Sequence, residues 1–415
     1  MGKKRNMGHF DGIYSNTPLD TETIDQNLLN IANKYKSNPL PWNGQFSPQL
    51  VQILLNQYSK KNDTVFDPFL GSGTTLLEAG ELKRQAYGTE INYAAVCLSR
   101  IYELINMDFP ERILLLNEFE NMLIKTNIIF SDFLKSKEID ITENIKKLIK
   151  KCKNTKYKIL LDCFIILIDF YKNNFTPKWL EKKWYKIKEL VRSLPVSENK
   201  IKTTQEDARE TSLKDSNVDF VITSPPYINV FNYHQQYRSS SEYLNGSVLP
   251  SAKAEIGSNR KNRANRFHTV TQYCIDMGMV FNEINRICKD GSSVIFILGR
   301  ESQVKKTAFY NGEIVSEIAH KCCNMNLTNR QERVFVNRFG MHIYEDILHL
   351  ISTKKICLDI PKSARIIAKN VLASVLTTVP TESKNDLHDA INKINDINAS
   401  DIFRSSYDNS SITWR

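Results

Sequence analysis

No run of this sequence is apolar for long enough to span a bilayer. The longest, Ile159 to Tyr171, carries Asp162 and Asp169 and falls short of the about 20 residues a spanning helix needs. The basic N-terminus, MGKKRNMGHF, has no apolar stretch behind it, so no secretory signal is expected. Gly2 lacks the Ser or Thr that N-myristoylation requires. Cysteines number 8 and histidines 7, but no Cys-x-x-Cys pair and no His cluster occurs. That excludes a zinc site and a disulfide framework and leaves buried thiols of a reducing, cytoplasmic compartment. No metal site is expected.

The 415 residues suggest two or three structural units at about 150 residues each. A hydrophobic fraction of 41 % and a charged fraction of 25 % are those of a globular chain, not of a disordered or fibrous one. Lys and Arg outnumber Asp and Glu, 56 to 46, a formal charge of +10. The excess favours a polyanionic partner.

Ser47-Pro48 reads as a helix start, followed by Leu50, Ile53, Leu54 and Tyr58 at helical spacing. Thr64 to Phe66 reads as a buried strand, Leu76 to Leu82 as a helix, and Gln85 to Thr89 as a second strand ending on Glu90. This is the strand, Gly-rich turn, helix, strand, acid unit of an open parallel sheet that binds a nucleotide. Residues 101–198 lack glycine and carry apolar residues at helical spacing; they are read as a helical insertion with Lys-rich stretches. The alternating pattern returns with strands at Val218–Thr223, Ser293–Leu298, Arg333–Val336 and His342–Ile351, and a helix from Tyr273 to Cys288. The divisions are therefore 1–100, the insertion 101–198, 199–358 with a polar loop at 228–268, and a C-terminal helix and tail at 359–415.

Two motifs carry chemistry. Asp67-Pro-Phe-Leu-Gly-Ser-Gly-Thr74 places Gly71 and Gly73 in a strand-to-helix turn, where a ligand can approach the backbone. No Gly-Lys-Ser/Thr follows, which excludes a P-loop, and the third glycine of a dinucleotide fingerprint is missing. Val221-Ile-Thr-Ser-Pro-Pro-Tyr227 ends a buried strand in two prolines, a rigid platform that cannot donate hydrogen bonds. An exocyclic amine there would donate to Ser224 Oγ and the Pro225 carbonyl, with its lone pair turned toward an electrophile. Tyr227 offers a flat face for a base.

Together these motifs resemble the amino-group DNA methyltransferases of restriction–modification systems. The resemblance covers roughly residues 40–100 and 200–300. It implies a Rossmann-like α/β methyltransferase fold, a mostly parallel sheet with helices on both faces, and S-adenosylmethionine as methyl donor. Ser224, Pro225, Pro226 and Tyr227 match the catalytic motif. Asp67, Phe69, Gly71, Ser72, Gly73 and Thr74 match the cofactor loop, Glu90 the ribose acid, Asp207 the adenine contact, and Phe46 and Ser47 a further cofactor segment. The Ser-Pro-Pro-Tyr form implies cytosine N4 as the acceptor. Adenine N6 is the alternative, and an RNA base methyltransferase or a non-catalytic nucleic-acid-binding protein are further ones. The cofactor motif precedes the catalytic one, whereas many Ser-Pro-Pro-Tyr enzymes have the reverse order. No cysteine stands where a C5-cytosine enzyme has its nucleophile, so transfer is direct, by positioning and electrostatics.

The implied partners are double-stranded DNA with a specific recognition sequence and a cognate restriction endonuclease acting on the same site; no membrane is involved. The target base must leave the helix to reach the platform. The loop after Tyr227 supplies aromatic faces (Phe231, Tyr233, Tyr237, Tyr243) and charge (Arg238, Lys253, Arg260, Lys261, Arg263, Arg266) suited to DNA phosphates. The Lys-rich insertion is a second place for DNA contact.

Overall fold

The computed structural model describes residues 12–45, 47–129, 141–153, 155–170, 175–229, 233–244, 246, 248–258, 260–337 and 339–405. Nine strands are present among them: β1 Thr64–Asp67, β2 Gln85–Thr89, β3 Ile201–Thr204, β4 Val218–Thr223, β5 Cys288–Gly299, β6 Glu301–Val304, β7 Thr307–Tyr310, β8 Asn326–Val336 and β9 His342–Ile351. Seven form one sheet in the order β3-β2-β1-β4-β5-β9-β8, and β6 and β7 form a separate hairpin. β1 to β5 run parallel, while β9 is antiparallel to both β5 and β8. This is a Rossmann-like sheet with one reversed strand next to its edge.

Strand alternation explains the layering. Val65 faces one core and Phe66 the other; on β5, Ile295 and Ile297 face the first core, and Val294, Phe296 and Leu298 the second. A sheet buried on both faces needs apolar residues on both. Helices Pro48–Tyr58 and Thr74–Glu81 cover the first face, and His268–Ile287, Asn311–Cys323 and Ile360–Ser374 the second.

The insertion is helical as expected, with helices Phe109–Lys125, Ile141–Cys152, Lys158–Leu167 and Pro177–Ser193. It joins the first core through residues such as Phe119, Phe164 and Trp184. Arg112 is buried at its root, with its guanidinium donating to the carbonyls of Met107, Val191, Leu194 and Pro195. A buried arginine needs such partners; here NH1 and NH2 have them. Lys147, Lys150, Lys151, Lys182 and Lys186 stay exposed.

Several elements differ from the sequence reading. β5 begins five residues earlier than expected, and β8 begins seven before Arg333. The loop 228–268 contains short helices at Arg238–Tyr243 and Val248–Ala254. Residues 360–394 pack into the second core. Among the described residues no helix is long and apolar enough to cross a membrane.

Candidate active site

β1 and β4 are neighbours, yet their following helices lie on opposite faces. A crevice therefore opens at their carboxyl ends, the usual ligand position in such sheets. Both sequence motifs sit there.

The Gly-rich turn is held from several sides. Leu70 N donates to Thr89 O at 3.1 Å, and Gly73 N to Leu70 O at 3.1 Å. Gly71 (φ +54°) and Gly73 (φ +92°) take the left-handed conformation that glycine adopts without strain. Their open sides differ from the expectation. A Cβ on Gly73 would stand 2.7 Å from the Tyr102 ring and 2.9 Å from Ser99. Gly73 is thus a close-packing position against the start of the insertion, and it does not line the cavity. Gly71 does line it, beneath the Trp42 ring.

Asp67 also takes a role other than the one expected. It is fully buried and faces no cavity. Its Oδ1 accepts from Phe69 N at 3.0 Å and Thr223 Oγ1 at 2.6 Å, and its Oδ2 from Thr75 Oγ1 at 2.6 Å. Burial pushes its carboxyl up to about 6 against these three bonds. Asp67 is a brace between the two motifs.

A cavity of about 280 Å³ contains most of the expected residues on one wall or another. Phe69, Gly71, Ser72, Thr74, Glu90 and Asp207 line it together with Ser224, Pro225, Pro226 and Tyr227. Glu90 Oε2 accepts from Gly71 N at 3.0 Å, and Oε1 from Asn92 N at 2.8 Å. Burial is the main cause that raises its carboxyl to about 7. Ser224 Oγ lies 3.4 Å from the Tyr227 hydroxyl. Ser72 is hydrogen-bonded to Gln45, and Thr74 Oγ1 donates to Asn38 Oδ1 at 2.9 Å.

Asp207 reaches the cavity, but its carboxylate is already engaged. Arg209 Nε and NH2 grip its two oxygens at 2.8 and 2.7 Å, and Phe403 N donates to Oδ2 at 2.8 Å. Ser47 is the N-cap of its helix without a capping side-chain bond, and it does not line the cavity. Phe46 and Phe231 lie outside the described residues. Tyr233, expected at the DNA, lines the cavity instead; a Cβ on Gly44 would come within 2.8 Å of its hydroxyl.

The expected cations divide. Lys253, Arg260 and Lys261 line a second cavity of about 290 Å³, whose wall Glu255 also borders the first. Arg263 and Arg266 are exposed. Arg238 pairs with Glu242 one turn along its own helix at 2.8 Å. Among the described residues no group of three or more His, Cys, Asp or Glu could hold a metal ion.

Sequence reading missed Trp42 to Gln45, Asn92, Glu255 and Glu345 on the cavity wall. Trp42 to Gln45 lie in a Pro- and Asn-rich turn before the first helix, a visible but unspecific signal. Glu255 accepts from His234 N at 2.6 Å and bonds its ring Nδ1 at 2.8 Å; nothing local marks that pair.

The cavity fits a nucleoside-bearing sulfonium donor. Glu90 keeps a second lone pair on each oxygen for a pair of ribose hydroxyls, Gly71 puts no side chain into the cavity, and the Trp42 and Tyr227 rings line it. Residues 8–100 match the family described as DNA methylase. Over 76 residues the chain is 42 % identical to the type II methyltransferase M.BsoBI of Geobacillus stearothermophilus, covering 17 % of this chain and 15 % of that one. Over 89 residues it is 36 % identical to M.HindIII of Haemophilus influenzae, covering 20 % and 29 %. The matched stretches span less than a third of these curated relatives. Among solved structures, TrmN from Thermus thermophilus aligns over 75 % of this chain and 50 % of its own at 13 % identity, TM-score 0.32. A methyltransferase from Methanosarcina mazei aligns over 72 % and 97 % at 11 % identity, TM-score 0.34. The stretch that builds the Gly-rich turn and the Glu90 wall is therefore similar in sequence to the amino-group DNA methylases.

Proposed function

We propose that this chain transfers the methyl group of S-adenosylmethionine to the N4 amine of a cytosine turned out of double-stranded DNA. One observation carries the reading: the Gly-rich turn and the Ser-Pro-Pro-Tyr corner, more than 150 residues apart, line one cavity. The donor supplies an electrophilic methyl on a sulfonium. Glu90 would hold its ribose, and the Gly71 turn its amino-acid end. Because Asp207 is already bonded to Arg209 and Phe403, it meets the adenine end as part of a preset ion pair.

The corner orients the acceptor. Ser224 Oγ and the Pro225 carbonyl accept the two amine hydrogens, which aims the nitrogen lone pair into the cavity. Tyr227 is fixed by its neighbours: a Cβ on Gly257 would come within 2.1 Å of its carbonyl, and one on Gly299 within 3.2 Å of its ring. Catalysis here is orientation of two bound partners, an effect that can supply about 7–11 kcal/mol of the barrier.

The exposed cations of loop 228–268 would meet the phosphates on either side of the extruded nucleotide. A recognition sequence and a restriction endonuclease acting on it complete the reading of a restriction–modification enzyme. The test is direct. The protein is incubated with labelled cofactor and DNA, and the product nucleosides are separated. N4-methylcytosine is the expected label. N6-methyladenine would replace the acceptor while leaving the chemistry, and label in RNA alone would overturn the DNA substrate.

A further inference from the structure

Among the acids on the cavity wall, Glu345 is the one that comes from the antiparallel strand β9. Glu345 stands in β9, paired with Gly299 of β5 on one side and Arg333 of β8 on the other. Its side chain is 16 % exposed and lines the same cavity as Ser224 and Tyr227. Arg333 Nε lies 3.0 Å from Glu345 Oε2. The contact is off the N–H direction, so among the described residues this buried oxygen accepts no hydrogen bond. Its charge is paired with Arg333, and its lone pairs are free to accept a donor from the cavity.

Tyr227 connects this acid to the corner. Its ring rests on Gly299, the strand partner of Glu345. Its hydroxyl lies 3.4 Å from Ser224 Oγ. Burial and then the Glu345 charge push the Tyr227 phenol up to about 12, so it stays protonated and can pass a proton on while receiving another.

We infer that Ser224, Tyr227 and Glu345 form the proton exit of the reaction. The inference rests on the amino-methyl transfer proposed above. As the N–C bond forms and the methyl–sulfur bond breaks, the amine nitrogen becomes positively charged and must lose one N–H proton. That proton passes to Ser224 Oγ, the Ser224 hydroxyl proton to Tyr227 Oη, and the Tyr227 hydroxyl proton through one cavity water to the Glu345 carboxylate. Ser224 and Tyr227 end as they began, and Glu345 ends as a neutral carboxyl that discharges to water. The sulfide product is neutral, so charge balances without another reactant.

The groups around Glu345 suit the task. Burial raises its carboxyl above the usual range, Asp346 beside it on β9 adds to this, and Arg333 from β8 opposes it. Arg300, which pairs with Asp346 at 3.3 Å, limits the Asp346 contribution. A base lifted toward neutrality is what a proton acceptor at physiological pH requires.

The test is single-turnover methyl transfer to DNA at saturating cofactor, as a function of pH, for the wild type, Glu345→Gln and Tyr227→Phe. The expected wild-type rate climbs from acid pH to a plateau through one ionisation. Both substitutions should lower the plateau by about a hundredfold, the usual size of a general-base effect, and Glu345→Gln should also remove the acid limb. Glu345→Asp should restore part of the limb, and binding of cofactor and DNA should be unchanged in each. If the wild type methylates but Glu345→Gln keeps both its rate and its acid limb, the relay is wrong while the transfer reading stands. If Glu345→Gln does not fold, an unaltered rate in Tyr227→Phe rejects the relay equally. A wild type that methylates no nucleic acid overturns both.

Discussion

The Thr223 hydroxyl donates to the buried Asp67 carboxylate at 2.6 Å. One residue ends β4 and the other ends β1, so this bond ties the last residue before Ser224 to the first residue of the Gly-rich turn. Asp67 also receives Thr75 from the helix that follows the turn. Asp67→Ala would orphan both hydroxyls and the Phe69 amide at about 1–3 kcal/mol for each buried group left unpaired. The expected result is a clear fall in the urea midpoint together with weaker cofactor binding. Asp67→Asn keeps the shape and one acceptor and should lose less. Equilibrium unfolding and cofactor titration on the same samples check this.

Asp67 and Glu90, two of the acids that burial raises, contribute a definite pH response to the free protein. The folded-state values are about 6 for Asp67 and about 7 for Glu90, above the ordinary carboxyl range reached on unfolding. Between those limits the folded chain holds more protons than the unfolded one. The contribution of these groups is therefore fully present at the acid end and is lost as pH rises to about 7. Glu90→Gln and Asp67→Asn should each flatten that decline when unfolding is followed across the window; a decline of unchanged slope would contradict the assignment.

Cofactor binding should run the other way. In the proposed reading ribose hydroxyls would donate to the ionised form of Glu90, so affinity should rise with pH through about 7 and level off above it, with a proton released on binding at lower pH. Calorimetry in buffers of different ionisation heat reads the proton directly. Glu90→Gln should bind weakly at every pH and release none.

Ser224→Ala removes the hydroxyl proposed to accept from the amine and leaves the Gly-rich turn untouched. Methyl transfer should drop by about two orders of magnitude or more, as expected when a positioning contact is lost, while labelled cofactor still binds. Loss of cofactor binding instead would mean that Ser224 serves the donor and not the acceptor.

Much of this was legible because the motifs are local. Thr64 to Glu90 holds strand, turn, helix and acid in consecutive residues, and β2, β4 and β9 follow their apolar pattern residue for residue. What escaped depends on distance. Gly73 and Gly71 look alike in sequence; only the neighbouring Tyr102 and Trp42 separate the packing glycine from the cavity glycine. Glu345 is one polar residue in an alternating strand, and its meaning comes from lying across Gly299 from Tyr227. Asp207 looked free because Arg209, two residues on, meets its other partners from helix His268–Ile287 and from residues 400–401.

The basic loop predicts a salt response. Each phosphate neutralised releases counterions, so the logarithm of DNA affinity should fall with the logarithm of salt, by about 0.9 for each phosphate contacted. Lys253, Arg260 and Lys261 share one concave surface, and among the described residues none of the three forms an ion pair. Replacing all three by Gln should reduce the slope by about three such steps and weaken binding to all sequences alike. Arg238→Gln, which breaks only the pair with Glu242, should change the slope less.

The Arg209 cluster makes the strongest stability prediction. Its side chain is fully buried and bonds Asp207, Asp276, Ser400 and the Asp401 carbonyl. Ser400 N and Phe403 N return bonds to Asp276 and Asp207. Removing the only cation of this set leaves two buried carboxylates unpaired, and breaking such a pair from one side costs about 3–5 kcal/mol. Arg209→Ala should therefore unfold at much lower urea. Ser400→Ala, which removes one hydroxyl and no charge, should cost far less and isolates the second effect. Asp207 lines the cavity proposed for the cofactor, so cofactor should slow hydrogen exchange at the Ser400 and Phe403 amides. By reciprocity, Ser400→Ala should weaken cofactor binding by the factor that cofactor adds to the stability of that segment. Exchange at these two amides that ignores cofactor would show the cluster to be structural alone.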